Sequence, residues 1–187
     1  MLLLKPGQII AKFKTKKGRE IVIRVPVIAD LGEELRYINE LVGEDTYLWR
    51  GPEHKISVKE EKKWLKDFLD RIKKDEAVLL SCFVDDKLIA GISLERGKYR
   101  ETHVGEIGIS VAKDFREEGI GQKLFTIILE EAKKRKYKIL CLYVFANNPR
   151  AIHIYEKFGF RKTGVLPKGL FYKGKYIDQI LMYREIS

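Results

Sequence analysis

The sequence predicts a mixed α/β fold. Three observations carry that expectation. Short β-branched runs separated by turn residues recur through the chain, two amphipathic segments with helical spacing interrupt them, and after residue 112 the pattern changes to helix, strand, helix, strand. With 187 residues, 45% of them apolar, and no repeat or Ser/Gly-rich linker, residues 1–187 are expected to form one domain, with an extra N-terminal hairpin strand at 8–14.

Gln8 to Lys14 and Glu20 to Val25 are the first two strands, joined through Lys16-Lys17-Gly18. Asp30 is the expected N-cap of a helix to Val42, with Leu31, Leu35, Ile38 and Leu41 on one stripe. After a loop from Gly43 to Ile56, Ser57 caps a second helix to about Lys74. Glu60 stands at its capping-box position, and Trp64, Leu65, Phe68, Leu69 and Ile72 form its apolar face. Ala77 to Val84, Lys87 to Glu95 and Val104 to Val111 are expected as antiparallel strands, linked by Asp85-Asp86 and by a turn from Gly97 to Thr102. Gly119 to Lys136 has helical spacing and a basic last turn, which the helix dipole favours. Ile139 to Phe145 is apolar on both faces, as a central strand would be. Asn148 and Pro149 open a short helix to Phe158, and two strands, near Arg161 to Leu166 and Tyr176 to Arg184, flank a Gly-containing loop.

Bulk properties exclude several classes. The apolar runs are shorter than the roughly 20 residues a bilayer-spanning helix needs, and Met1 to Leu4 is broken at once by Lys5, Pro6 and Gly7, so neither a membrane span nor a secretory leader is expected. Cys82 and Cys141 lie in apolar runs without ligand spacing and read as reduced core thiols, which suits a cytoplasmic protein. His54, His103 and His153 are scattered, and no metal is expected. The net charge of +10 would attract phosphates, but the basic residues carry no nucleic-acid-binding signature and read as solvated faces.

The informative segment is Phe115-Arg116-Glu117-Glu118-Gly119-Ile120-Gly121-Gln122, between a strand and a helix. Glycines allow close backbone approach, the amides at the helix start point outward, and the positive dipole end favours a diphosphate, with Arg116 adding charge. A Walker loop would need Gly-Lys-Ser/Thr and a dinucleotide loop a glycine where Leu124 stands. An ordinary glycine-containing helix start remains the plain alternative.

Here the sequence resembles the GNAT acetyltransferases. Their Arg/Gln-x-x-Gly-x-Gly/Ala pyrophosphate loop matches Arg116, Gly119 and Gly121, and their Asn-x-x-Ala-x-x-x-Tyr-x-x-x-Gly-Phe run matches Asn148, Ala151, Tyr155, Gly159 and Phe160. The tail from Gly174 through Met182 looks like the branch containing ribosomal-protein and amino-acid acetyltransferases. The resemblance implies the GNAT fold: a strongly twisted, mostly antiparallel mixed sheet with helices on both faces and splayed central strands. It implies acetyl-CoA as cosubstrate and direct acetyl transfer to a primary amine.

An attacking amine has a pKa near ~10 for Lys or ~8 for a chain N-terminus and must shed a proton, for which a carboxylate is the usual acceptor. Alternation along Val104 to Val111 sets Glu106 opposite Ile107, Ile109 and Val111. Glu106 is the first choice of base, ahead of Glu95 and Asp178, and its plain alternative is a solvent-facing strand carboxylate. By resemblance, Tyr155 returns a proton to the CoA sulfur; otherwise it is a core aromatic. Asn148 either caps its helix or contacts CoA, roles that are compatible. The Ile109-Ser110-Val111 segment and Arg116 through Gln122 are the remaining expected cofactor contacts. The expected partners are an amine acceptor, protein, peptide or small molecule, and a second copy of the chain; the acceptor would meet the Gly43 to Ile56 and Leu166 to Lys175 loops. Membrane and nucleic acid are not expected. The rival function is a noncatalytic acetyl-CoA sensor or a basic nucleic-acid-binding module on the same fold.

Overall fold

A computed structural model describes residues 3–186. Met1 and Leu2, which begin the apolar N-terminal run, lie outside the described residues. Among the described residues, eight strands and four α-helices make a mixed α/β protein; β5 pairs parallel with β6, while β1–β2, β2–β3, β3–β4, β6–β8 and β7–β8 are antiparallel. The chain divides into two compact units: residues 1–95 with 108–131, and residues 96–107 with 132–187.

In the first unit, β1 (Ile9–Lys14), β2 (Glu20–Arg24), β3 (Ala77–Val84) and β4 (Lys87–Arg96) run in sequence order, and the second half of β5 (Val104–Val111) belongs with them. The central strand β3 is buried from Ala77 to Phe83, which is why its sequence is a continuous apolar run rather than an alternating one. Asp85 and Asp86 both take positive φ, 46° and 62°, the two-residue turn that lets Val84 pair with Lys87.

Two helices complete this unit's core. In α2 (Val58–Lys73) the Ser57 side chain accepts from Glu60 N while Glu60 reaches back to Ser57 N, the reciprocal cap expected from the sequence. Leu65, Phe68, Leu69 and Ile72 are buried as expected, but Trp64 is 41% exposed and Glu61 takes an inward position. The inward face of α1 (Leu31–Gly43) is also rotated from expectation. It buries Glu34, Tyr37, Leu41 and Val42, leaving Leu31, Leu35 and Ile38 half-buried. Asp30 precedes this helix without capping it through its side chain. Its carboxylate instead receives both arms of Arg24, at 2.6 and 2.7 Å, and the amide of Val27. A bidentate ion pair with Arg24 outcompetes a single cap bond for that carboxylate.

In the second unit the strand order is β5 (first half), β6 (Ile139–Phe145), β8 (Lys175–Glu185), β7 (Arg161–Tyr172). The β6 strand alternates more than expected. Leu140, Leu142 and Val144 are buried, but Cys141 is half-buried and Tyr143 is 42% exposed, so one of its faces is partly open and Cys141 is not the buried thiol its apolar run suggested. The expected loop from Leu166 to Lys175 is mostly strand: β7 continues to Tyr172 and turns through Lys173 and Gly174, at φ 49° and 76°. Pro167 and Gly169 read as loop residues because the pairing slips between Leu166 and Leu170. Asp178 stands opposite that bulge and holds it, its carboxylate accepting from Lys168 N at 2.8 Å.

Two helices remain. α3 (Ile120–Lys134) buries Ile120, Leu124, Phe125 and Ile128, and α4 (Pro149–Lys157) buries Ile152. No helix among the described residues is long and apolar enough to cross a membrane.

Candidate active site

The expected phosphate loop lies wholly in the first unit. Lys123 N–H donates to Gly119 C=O at 3.0 Å, closing the first turn of α3. The amides of Ile120, Gly121 and Gln122 are therefore the donors that every helix start leaves outside the ladder. Gly119 has φ +88°, a conformation that side chains resist, whereas a Cβ on Gly121 would meet only Ile109 Cδ1 at 3.8 Å and Val111 Cγ2 at 4.0 Å, ordinary contacts. The first glycine is required by the backbone; the second is not required by any neighbour in the protein, and the space beside it suits the close approach of a ligand. A diphosphate fits this cradle. Glu117 also has positive φ, +70°, so the loop holds one non-glycine residue in a strained conformation.

The loop is braced from α1. Arg116 Nε donates to Val111 C=O at 2.9 Å, its Nη2 pairs with Glu44, and Glu44 also accepts from Lys113 N at 3.0 Å. Glu44 opens the Gly43 to Ile56 loop expected to meet the acceptor, and its carboxylate is engaged with the segment ahead of α3. Arg116 acts on the loop's shape through these bonds, and Glu118 turns its carboxylate inward, fully buried, so Glu118 can reach a phosphate only through its main chain. Upstream, Ile109, Ser110 and Val111 are half-buried, and Ser110 Oγ lies 2.9 Å from the hydroxyl of buried Tyr37. That bond ties α1 to β5, and Tyr37 lies off the apolar stripe expected for that helix, so no sequence signal marked it.

Gly119→Ala is expected to cost about 1–2 kcal/mol of stability, from the left-handed backbone it forces on a Cβ. Urea denaturation measures it, and Gly121→Ala, without that strain, is the comparison.

The expected catalytic groups lie in the second unit. Glu106 is exposed on β5 and pairs in register with Cys141 on β6. Burial first, and then the Glu106 and Glu101 charges, raise the Cys141 thiol to about 11; burial and Glu106 also raise the Tyr143 phenol. Glu106 thus projects its charge across the partly open face of β6. The two other candidate bases have structural work: Glu95 is ion-paired with Arg71, and Asp178 holds the β7 bulge. Tyr155 is half-buried, its ring centroid 6.4 Å from that of Phe160, and burial raises its phenol to about 12, which keeps it protonated. Asn148 caps α4, its side-chain oxygen accepting from Ala151 N at 3.2 Å, with Pro149 at the first helical position.

A glycine-shaped turn ahead of outward amides at a helix start has the geometry that suits a phosphate-bearing ligand. The chain belongs to the GNAT acetyltransferase family, whose model matches residues 41–160. It is similar to L-amino acid N-acetyltransferase AaaT of Escherichia coli, 27% identical over 108 residues, covering 57% of this chain and 66% of that one. Among solved structures it resembles a ribosomal-protein-alanine N-acetyltransferase from Brucella melitensis, with TM-score 0.76 and 25% identity over 87% of this chain and 98% of that one. It also shares the fold of yncA from Salmonella typhimurium, solved with its cofactor acetyl-CoA, at TM-score 0.77 and 17% identity over 89% and 94% of the two chains. The chain spans about half the length of the curated relatives it matches, from 40% to 66% for the first three.

Proposed function

We propose that the protein transfers the acetyl group of acetyl-CoA directly to a primary amine. The observation that carries this is the Gly119–Gly121 turn, where one glycine is demanded by φ and the other leaves space beside outward amides at the start of α3. Acetyl-CoA supplies an activated thioester. Main-chain amides of residues 119–122 hold its diphosphate, and the Ile109 to Val111 backbone holds the pantetheine arm. Glu106 takes the proton of the incoming amine, directly or through water. Tyr155 delivers a proton to the departing sulfur; its phenol, whose pKa burial raises, carries that proton at neutral pH. Asn148 combines its capping role with a CoA contact.

The acceptor is read as a protein or peptide amine, an N-terminus or a lysine side chain. A ribosomal-protein acetyltransferase and an amino-acid acetyltransferase among the similar proteins make those two acceptor classes the first to assay. Two free cysteines suit a reducing, cytoplasmic setting, and residues 1–187 are read as one catalytic domain, alone or as a homodimer.

The test is CoA release from acetyl-CoA across a panel of peptide N-termini, lysine peptides, amino acids and polyamines. Tyr155→Phe is expected to lower kcat by roughly 10- to 100-fold, with little change in the KM for acetyl-CoA, because it removes a proton donor and leaves the binding loop intact. Tight acetyl-CoA binding with no turnover on any amine would make the protein a sensor instead. Salt-sensitive nucleic-acid binding without acetyl-CoA affinity would remove the reading altogether.

A further inference from the structure

The phosphate loop is braced on a second side, by a segment that lies outside the matched family region. The turn between β1 and β2 points Lys17 and Arg19 at Glu118, whose buried carboxylate lies 3.5 Å from Lys17 Nζ and 3.5 Å from Arg19 Nη1. Neither carboxylate oxygen of Glu118 has a hydrogen-bond partner among the described residues. Removing such a charge from water without opposite charges beside it is strongly unfavourable, so these two cations decide whether an ionised Glu118 can stay inside the loop.

Arg19 makes two further contacts with the same segment. Its guanidinium lies 4.5 Å from the centroid of the Phe115 ring, and Nη1 reaches Asp114 C=O at 3.4 Å. The hairpin turn therefore touches positions 114, 115 and 118, immediately ahead of the helix start that offers its amides. The turn is itself held by local hydrogen bonds. Buried Thr15 accepts through Oγ1 from Lys17 N and Arg19 N, Thr15 C=O accepts from Gly18 N at 2.9 Å, and Gly18 supplies the left-handed backbone, φ +82°. Together with the Glu44 and Arg116 brace, it clamps the loop from both sides.

We propose that Lys17 and Arg19 are positioning residues for acetyl-CoA: the N-terminal hairpin presets the phosphate loop through the buried Glu118 carboxylate and so sets affinity for the cosubstrate without touching it. The inference rests on the acetyl-CoA reading of the loop. Preorganising a binding loop strengthens binding by removing the ordering cost from the association step, so losing the clamp weakens binding and leaves the bound-state chemistry alone.

Two measurements on the full chain test it: amide hydrogen exchange over residues 113–122 without ligand, and the Kd for acetyl-CoA. Arg19→Met is expected to speed exchange in that segment and to weaken acetyl-CoA binding by roughly tenfold, with kcat at saturation little changed. Adding Glu118→Gln removes the stranded charge and is expected to return Kd to within about threefold of the parent protein, a rescue that simple loss of hairpin packing would not give. Lys14→Met is the control for general loss of positive charge, since the Lys14–Glu20 pair on the same hairpin is exposed. Should Arg19→Met not fold, Lys17→Met, whose side chain is 61% exposed, carries the same test.

Exchange unchanged in the clamp variants, or a Kd no weaker than that of Lys14→Met, overturns the clamp. If the parent protein binds no acetyl-CoA, the functional reading falls, and the exchange measurement still decides whether the hairpin orders the loop.

Discussion

In Glu106→Gln, kcat for acetyl transfer is expected to fall by roughly 10²- to 10⁴-fold, the range that a positioned general base contributes. The amine must lose a proton to attack, and of the three candidate carboxylates Glu106 alone lies exposed on β5 beside the partly open face of β6. Glu95 is paired with Arg71 and Asp178 with the Lys168 amide. Gln keeps the volume of Glu and removes its basicity, so acetyl-CoA affinity should hold. The acid limb of the kcat/KM against pH profile, where protonation of the base shuts off the reaction, should disappear. A variant as active as the parent, with the same acid limb, would return Glu106 to the status of a solvated strand residue and move the search for a base to water or to the acceptor's own environment.

The largest effect expected on stability comes from Glu34. This carboxyl is buried between α1 and β3, accepts from Ser81 Oγ at 2.9 Å, and has its pKa raised to about 7 by burial first, with Glu61 and Asp30 adding to the rise. Glu34 therefore binds its proton more tightly in the folded than in the unfolded state. Its contribution to stability is fully present below the unfolded pKa, near ~4.3, and is lost as pH rises through about 7. The shift corresponds to a loss of about 3–4 kcal/mol across that window. Glu34→Gln should thus be more stable than the parent at pH 8, by about 1–3 kcal/mol, and gain little or nothing at pH 5. The reduced gain allows for the extra Gln amide donors, which the site must also satisfy. Denaturant titrations at the two pH values measure this. A Glu34→Gln effect independent of pH would mean that the carboxylate is already stabilised when charged.

Much of the fold was legible because its signals are local. The Ser57–Glu60 cap, the Asp85-Asp86 turn and the apolar run of β3 each state their structure within a few residues. The Gly119 turn into α3 was legible for the same reason: a glycine at φ +88° and a helix start are consequences of neighbouring residues. The far strands were underestimated where a bulge placed Pro167 and Gly169 inside β7. Register slippage is visible only when the partner strand is known.

What the sequence determined alone is the order of elements, the glycine pattern ahead of α3 and the residue types on offer there and on β5 and α4, because propensity, capping and backbone conformation act over one or two turns of chain. The tertiary structure decided which charges those residues meet. It turned Glu34 and Glu118 inward, set Glu44 on Arg116 and brought Lys17 and Arg19, about 100 positions away in sequence, to the loop they support. Those pairings are long-range, and a carboxylate's cost or benefit depends on the solvent it loses and the cation it gains, neither of which is written in its neighbours along the chain.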